Sequence, residues 1–177
     1  HAHRAVPRDP RLVVRRGEHW SAFPLWLARA IGEAIGGGAA VDLIVGAALM
    51  VSVKTGGAIF AIVDNPAAID GIVAPKDRYD LRDEIAANDM RPETKLHHLI
   101  DARRLDEQTL ARLSELDGAT ILDRTGALLA YGAIVSSSDS QQEGARTAAA
   151  KTLSTRALVV LKVSEDGDIT VFSNGKS

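Results

Sequence analysis

The residues best suited to do chemistry stand in three short stretches of the second half of the chain. The first is Asp117-Gly118-Ala119, which lies between a helix-like segment and an apolar strand-like run. Asp-Gly at such a junction sets a carboxylate at the end of an element, beside a residue that permits close backbone approach. The second, Gly144-Ala145-Arg146, predicts a turn that opens a helix with an arginine in its first turn. The third, Ser164-Glu165-Asp166-Gly167, follows a predicted strand. Two carboxylates and a cationic helix N-terminus are the parts needed to hold a metal-bound nucleotide.

Each stretch alone is common, because Asp-Gly is typical of turns and Glu-Asp-Gly-Asp is typical of hairpin loops. Their order is more specific. It resembles the catalytic core of the diadenylate cyclase family, the domain at the N-terminus of the DNA-integrity scanning protein. That family carries Asp-Gly-Ala, an apolar hairpin, Gly-x-Arg-His-Arg-x-Ala opening a helix, and a strand ending in Val-Ser-Glu. The resemblance extends back to residues 41–44 and 55–59, and covers roughly three quarters of the chain.

The resemblance implies a role for each matched residue. Asp117 takes the place of a metal ligand or of a base for the attacking hydroxyl, and Glu165 takes the place of a second metal-side carboxylate. Arg146 is implied to bind phosphates at the helix N-terminus, so the implied catalytic residues are Asp117, Arg146 and Glu165. The implied metal is Mg²⁺ or Mn²⁺, held by Asp117 and Glu165. The other implied nucleotide-binding residues are Gly118, Ala119, Gly144, Ala145 and Thr147.

Members of this family condense two ATP molecules into cyclic di-AMP, each 3′-hydroxyl attacking the α-phosphate of the other nucleotide. Because a single site cannot close that ring, the resemblance implies a homodimer. The segment 136–143, which leads into the phosphate-binding helix, has no apolar residue. We therefore expect a weak or ligand-dependent dimer, with ATP or another adenine nucleotide as the ligand. The family's opening helix and first strand, here 41–52 and 58–63, are implied to wall the adenine pocket.

The third motif departs from the family pattern. Where the family has Arg-His-Arg, this chain has Arg146-Thr147-Ala148, and a shifted match would put Arg146 on the second arginine. Either alignment loses a histidine and a cation. Lys151, one helical turn beyond Thr147, could replace the lost cation. Three interpretations follow: an active cyclase with an altered phosphate clamp, a sensor that binds a nucleotide or cyclic dinucleotide without turnover, and a structural domain that keeps only the fold. The retained carboxylates favour a nucleotidyltransferase.

Composition predicts one domain over residues 21–177, preceded by a basic lead-in at 1–20 that contains five arginines among residues 4–16. The chain has 21 Lys and Arg against 23 Asp and Glu, which argues against a general nucleic-acid binder. It has no cysteine, so disulfides and thiolate metal sites are excluded. The longest apolar run, 43–53, is too short to span a bilayer, and a cytoplasmic location is expected.

The hydrophobic pattern predicts an α/β domain with a mixed central sheet flanked by helices. Ser21 is a candidate helix cap, and Leu110, Leu113 and Leu116 are expected on one face of a helix capped by Asp106. His97 and His98 would point to opposite faces of a strand, which argues against a shared metal site. We expect Asp117, Arg146 and Glu165 to meet in one cleft, because all three adjoin strand ends. The predicted helices are 21–35, 41–52, 79–87, 106–116 and 145–156, and the predicted strands are 58–63, 95–100, 119–123, 127–135, 157–163 and 169–172.

Overall fold

The structure, a computed structural model, describes residues 11–16, 19–54, 56–82, 105–135 and 144–174. Two short 3₁₀ helices lie at Pro66–Ile69 and Pro75–Asp77. The other elements, in chain order, are β1 (Arg11–Arg16), β2 (His19–Pro24), α1 (Leu25–Ile35), α2 (Ala39–Val53), β3 (Ala58–Val63), α3 (Glu107–Ser114), β4 (Ala119–Asp123), β5 (Leu128–Ala133), α4 (Ala145–Ser154), β6 (Val159–Val163) and β7 (Ile169–Phe172).

The centre of the molecule is a five-stranded sheet in the order β5-β4-β3-β6-β7. Strands β3 and β4 run parallel, whereas β3–β6, β4–β5 and β6–β7 are antiparallel. The predicted mixed sheet with flanking helices is therefore confirmed. All six residues of β3 are buried, as expected for the central strand of a sheet that is covered on both faces.

Alternate residues of β3 face two separate apolar cores. Phe60 and Ile62 pack with α1, α2 and α3 on one side of the sheet. Ile59, Ala61 and Val63 pack with α4 and the first 3₁₀ helix on the other side. Because successive side chains of a strand point to opposite faces, one apolar run can supply both cores.

The predicted helix start at Ser21 is wrong. Residues 19–24 form β2, which pairs antiparallel with β1, and α1 begins only at Leu25. Proline disfavours the helical conformation in the residue before it, so Pro24 keeps Phe23 extended and the helix starts after the proline.

Most other predicted elements within the described residues are observed within two residues of their expected bounds, and at α3 this small difference changes the place of a leucine. Asp106 caps this helix as expected, its carboxylate accepting a 2.7 Å hydrogen bond from the Thr109 amide. The hydrogen bonds from Thr109 lower the pKa of the Asp106 carboxyl. However, α3 ends at Ser114, so Leu116 is not on its apolar face and is 47% exposed.

The segment after β3 is held by a buried arginine. Arg78 is 4% exposed and donates two hydrogen bonds to Asp80, at 2.8 and 2.7 Å, and one of 2.8 Å to Asp70. The hydrogen bonds to Asp80 and Asp70 raise the pKa of Arg78, although burial acts against them. Residues 79–81 form a bend and turn, and the chain is helical only from Arg82, so the predicted helix start at residue 79 is too early. The predictions for residues 83–104, including His97 and His98, and for the loop 136–143 lie outside the described residues.

Candidate functional site

The turn at Asp117-Gly118 requires glycine at its second position. Gly118 has φ +114°, and a Cβ there would lie 2.5 Å from the carbonyl carbon of Gly132. The start of β4 therefore approaches the end of β5 more closely than any side chain permits. This contact sets the exposed Asp117 at the edge of the sheet, directly before β4.

A second glycine positions the arginine of α4. Gly144 is the N-cap residue of α4, and Arg146 is the second helical residue. The Arg146 side chain reaches back to Gly57, just before β3. A Cβ on Gly57 would lie 2.2 Å from Nη1 of Arg146 and 2.4 Å from its Cζ. The guanidinium group therefore rests on bare backbone at the start of the central strand.

Glu165 completes the charged group from the turn between β6 and β7. Its Oε1 lies 2.9 Å from Nη1 of Arg146, in an ion pair whose two side chains are 74% and 46% exposed. The turn is anchored to the end of α2, because the Ser52 hydroxyl donates a hydrogen bond to the carbonyl oxygen of Gly167. Since β6 runs antiparallel to β3, Glu165 lies at the same edge of the sheet as Gly57 and Asp117.

Two cavities meet at these residues and share Asp117, Ala145 and Arg146. The first, here the apolar cavity, has a volume of about 410 Å³. The second, here the polar cavity, has a volume of about 670 Å³. Besides the shared residues, the apolar cavity is lined by Gly57, Ile59, Glu115, Leu116, Gly118, Ala119, Ala133, Ile134, Val135 and Ala149. The polar cavity is lined by Gly144, Thr147, Lys162, Val163, Ser164, Glu165 and Asp166.

All eight candidate site residues named from the sequence line one or both of these cavities. Gly118 and Ala119 lie on the apolar side, and Gly144, Thr147 and Glu165 lie on the polar side. The structure thus brings the residues together, while the role of each stays a prediction. The expected convergence of Asp117, Arg146 and Glu165 on one cleft is observed.

Two features named from the sequence, α2 and Lys151, lie outside both cavities. Helix α2 contributes no lining residue to either cavity, whereas β3 contributes Ile59 to the apolar one, and the expected walls of an adenine pocket stay a prediction. Lys151 also lines neither cavity, because it lies one helical turn beyond Thr147.

The cation that the sequence analysis missed is Lys162 in β6. Its ammonium group donates a 3.0 Å hydrogen bond to Oγ1 of Thr147, within the polar cavity. The sequence signal was a single charged residue in the otherwise apolar run 159–163. Gly57 was also missed as a site residue, because its contact with Arg146 depends on packing between distant parts of the chain.

The family model described as DisA bacterial checkpoint controller nucleotide-binding, or DAC, matches residues 45–177. The chain belongs to the DAC family. The match includes α4 and the turn after β6, so both motifs of the polar cavity lie within the part of the chain that carries the DAC signature. The search of curated proteins found no match.

Two solved structures have folds similar to that of this chain. A hypothetical membrane-spanning protein from Bacillus cereus aligns with TM-score 0.60 and 19% identity, over 84% of this chain and 67% of that chain. A double mutant of DacA from Staphylococcus aureus aligns with TM-score 0.51 and 20% identity, over 84% of this chain and 86% of that chain. In this DAC domain, no helix within the described residues has the length and hydrophobicity needed to cross a membrane.

Asp117 and Glu165 are the carboxylates that the sequence analysis named as metal ligands, and Asp166 lines the polar cavity beside them. The described residues contain no group of three or more His, Asp or Glu side chains placed to hold a metal ion. Asp117 and Glu165 both line the polar cavity, and Glu165 is engaged by Arg146. Mg²⁺ commonly binds through one or two carboxylates together with substrate phosphates. The residues therefore fit a divalent ion whose coordination is completed by a bound nucleotide.

Proposed function

We propose that this domain binds ATP with Mg²⁺ or Mn²⁺ and that two copies of it condense two ATP molecules into cyclic di-AMP. The observation that carries the proposal is that Asp117 and Arg146 lie where a cavity lined mainly by apolar residues meets one lined mainly by charged and hydroxyl residues. A nucleotide has the same division, with an apolar base and a charged phosphate chain. A cavity of about 410 Å³ is also within the range of small-molecule sites.

The phosphate-binding part of the proposal rests on charge. Arg146 and the exposed start of the ten-residue helix α4 both present positive charge to the polar cavity. The ion pair between Arg146 and Glu165 is exposed, so it contributes little to stability. Phosphate can therefore replace Glu165 as the partner of Arg146 at small cost, which frees the Glu165 carboxylate.

For turnover, the domain must align two nucleotides and balance the charge that develops on phosphorus. Each 3′-oxygen would bond to the α-phosphorus of the other nucleotide, and the bond to pyrophosphate would break. In this proposal Asp117 would accept the hydroxyl proton, and Arg146 would stabilise the phosphate oxygens. A bound divalent ion would polarise the phosphate and lower the charge of the leaving group. Two domains must face each other, which requires at least a transient homodimer.

A second candidate function is a nucleotide sensor without turnover, and the third motif favours it. Ala148, which occupies the place of the second arginine in one alignment, is 3% exposed and lines neither cavity. Thr147, in the place of the histidine, has no charge and accepts a hydrogen bond from Lys162. A missing transition-state cation costs orders of magnitude in rate, so binding could persist where turnover is lost.

The deciding experiment is incubation with ATP and Mn²⁺, followed by chromatography for cyclic di-AMP and, in parallel, calorimetry for ATP binding. We expect slow formation of cyclic di-AMP by the wild-type domain. Asp117→Asn should lower Mn²⁺-dependent ATP affinity by about tenfold or more and lower turnover by about 100-fold or more. Asp42→Asn removes the same charge from an exposed position on α2 that lines neither cavity, and should change neither quantity.

The outcomes separate the two candidates. ATP binding without cyclic di-AMP supports the sensor and rejects the cyclase. The absence of binding for every purine nucleotide and cyclic dinucleotide rejects both.

A further inference from the structure

Lys162 is an unusual residue for its position in the fold. It lies in β6 between Leu161 and Val163, which are both fully buried. By the alternation of a strand, Lys162 faces the same side of the sheet as Val160, which packs in the core that includes residues of α4. The sequence thus places an ammonium group, itself partly buried, on the inner side of α4.

No carboxylate among the described residues forms an ion pair with Lys162. Among the residues that the structure describes, its one polar side-chain contact is the 3.0 Å hydrogen bond to the Thr147 hydroxyl. Arg146, in the same cavity, has Glu165 as a counter-ion. Placing a charge in a partly buried site without a counter-ion is unfavourable. Although Asp117, Glu165 and Asp166 also line the polar cavity, an anion that contacts Lys162 directly would supply the missing counter-ion.

The two cations occupy different parts of the site. Arg146 lines both cavities, whereas Lys162 lines only the polar one. With the base of a nucleotide in the apolar cavity, Arg146 lies near the junction, where the first phosphate must pass. In such a pose Lys162, which does not line the apolar cavity, would meet phosphates farther from the base.

We infer that Lys162 binds the phosphates distal to the nucleoside and makes the site selective for nucleoside polyphosphates over monophosphates. The inference rests on the proposed nucleotide binding and adds a residue and a selectivity to it. The Thr147 hydroxyl positions the ammonium group by accepting one of its three donors, and the other two remain for phosphate oxygens. Lys162 thereby restores to the site one positive charge that the departure in the third motif removes.

The test is calorimetry with adenosine, AMP, ADP and ATP, at one fixed Mn²⁺ concentration, on the wild-type domain and on Lys162→Met. Methionine keeps the unbranched shape of the side chain and removes its charge. We expect ATP affinity to fall about 10- to 100-fold, with AMP affinity changed less than about threefold. Lys162→Arg, which keeps the charge, should retain the preference for ATP over AMP. Lys151→Met removes a lysine from α4 outside both cavities, and should leave all four affinities unchanged.

The results distinguish this inference from the proposed function. If the wild-type domain binds none of the four compounds, both fail. If the wild-type domain binds ATP but Lys162→Met leaves ATP affinity unchanged, or lowers AMP and ATP affinity by the same factor, the inference fails while nucleotide binding stands. Should Lys162→Met unfold, as judged by circular dichroism, Lys162→Arg and Lys162→Gln decide the matter. If the ratio of ATP affinity to AMP affinity is the same in Lys162→Arg and Lys162→Gln, the inference is overturned. A lower ratio in Lys162→Gln supports it.

Discussion

Arg146 is held by two contacts of different kinds. Its guanidinium group rests on the backbone of Gly57, pairs with Glu165 at 2.9 Å, and projects from the first turn of α4. The ion pair is open to solvent and therefore weak, but the seat on Gly57 is steric and does not depend on salt. We regard the seat as the feature that fixes where the guanidinium group meets a ligand.

The contact between the Arg146 guanidinium group and the Gly57 backbone predicts the effect of Gly57→Ala. The added methyl group would lie 2.2 Å from Nη1 of Arg146, so the arginine must move. Because that atom is the far end of a flexible side chain, the free energy of unfolding should change by less than about 0.5 kcal/mol. ATP affinity should fall about tenfold through loss of an aligned charged hydrogen bond. Calorimetry and urea unfolding measure the two quantities, with Gly32→Ala as a control for binding, since nothing lies within 4 Å of a Cβ there. Unchanged ATP affinity in Gly57→Ala would contradict the assignment.

At the scale of elements, the site depends on how α3 passes into β4. The chain turns sharply between Ser114 and Ala119, and Gly118 lies against the backbone of Gly132 and Ala133. The pairing of β4 with β5 also shifts register in this region, between Ala119 and Ile121. The turn therefore determines the position of Asp117 as well as the start of the strand.

Gly118→Ala should accordingly damage the fold. A Cβ at this position would lie 2.5–2.8 Å from three backbone atoms, and φ +114° is unfavourable for alanine. We expect the free energy of unfolding to fall by about 2–5 kcal/mol. In contrast, Gly32→Ala in the middle of α1 should raise it by about 0.5–1 kcal/mol. Urea denaturation of both variants tests the pair, and a Gly118→Ala protein as stable as wild type would show that the turn can relax.

The elements also show what the sequence could and could not predict. Helix α2 and strand β3 were predictable because each is a continuous apolar pattern whose period is set locally. The hairpin β1–β2 was not, since its strands are stabilised by each other and the capping pattern at Ser21 competed with the effect of Pro24. The place of Leu116 was missed because α3 stops two residues before it.

The residues of the candidate site show the same limit of prediction from local sequence patterns. Asp117, Arg146 and Glu165 could be named from motif order, since the family pattern preserves that order along the chain. Lys162 could not, because its place in the cavity depends on its antiparallel register opposite Ile59. A pairing shifted by one residue would have turned it to the other face of the sheet.

At the scale of the whole molecule, the site occupies one edge of the sheet. Gly57 and Asp117 precede the parallel strands β3 and β4, and Glu165 follows the antiparallel β6. Sites of open parallel sheets usually lie at the carboxyl ends of the strands, whereas this one lies at the amino ends of the parallel pair. The edge also carries two exposed apolar side chains beside the apolar cavity, Leu116 at 47% and Ile134 at 57% exposed.

The exposed side chains of Leu116 and Ile134 predict where two copies of the domain meet in the proposed reaction. Two nucleotides can react only if the sites face each other, so the contact must lie around the cavities. Ile134→Lys places like charges opposite each other in a symmetric pair, and should abolish both the ATP-dependent dimer and cyclic di-AMP formation. Val53→Lys alters an equally apolar side chain, 78% exposed and outside both cavities, and should change neither. Sedimentation velocity with ATP and Mn²⁺ measures the dimer, and calorimetry checks that Ile134→Lys still binds ATP. Undiminished synthesis by a monomeric Ile134→Lys protein would exclude the face-to-face arrangement, because a single site cannot close the ring.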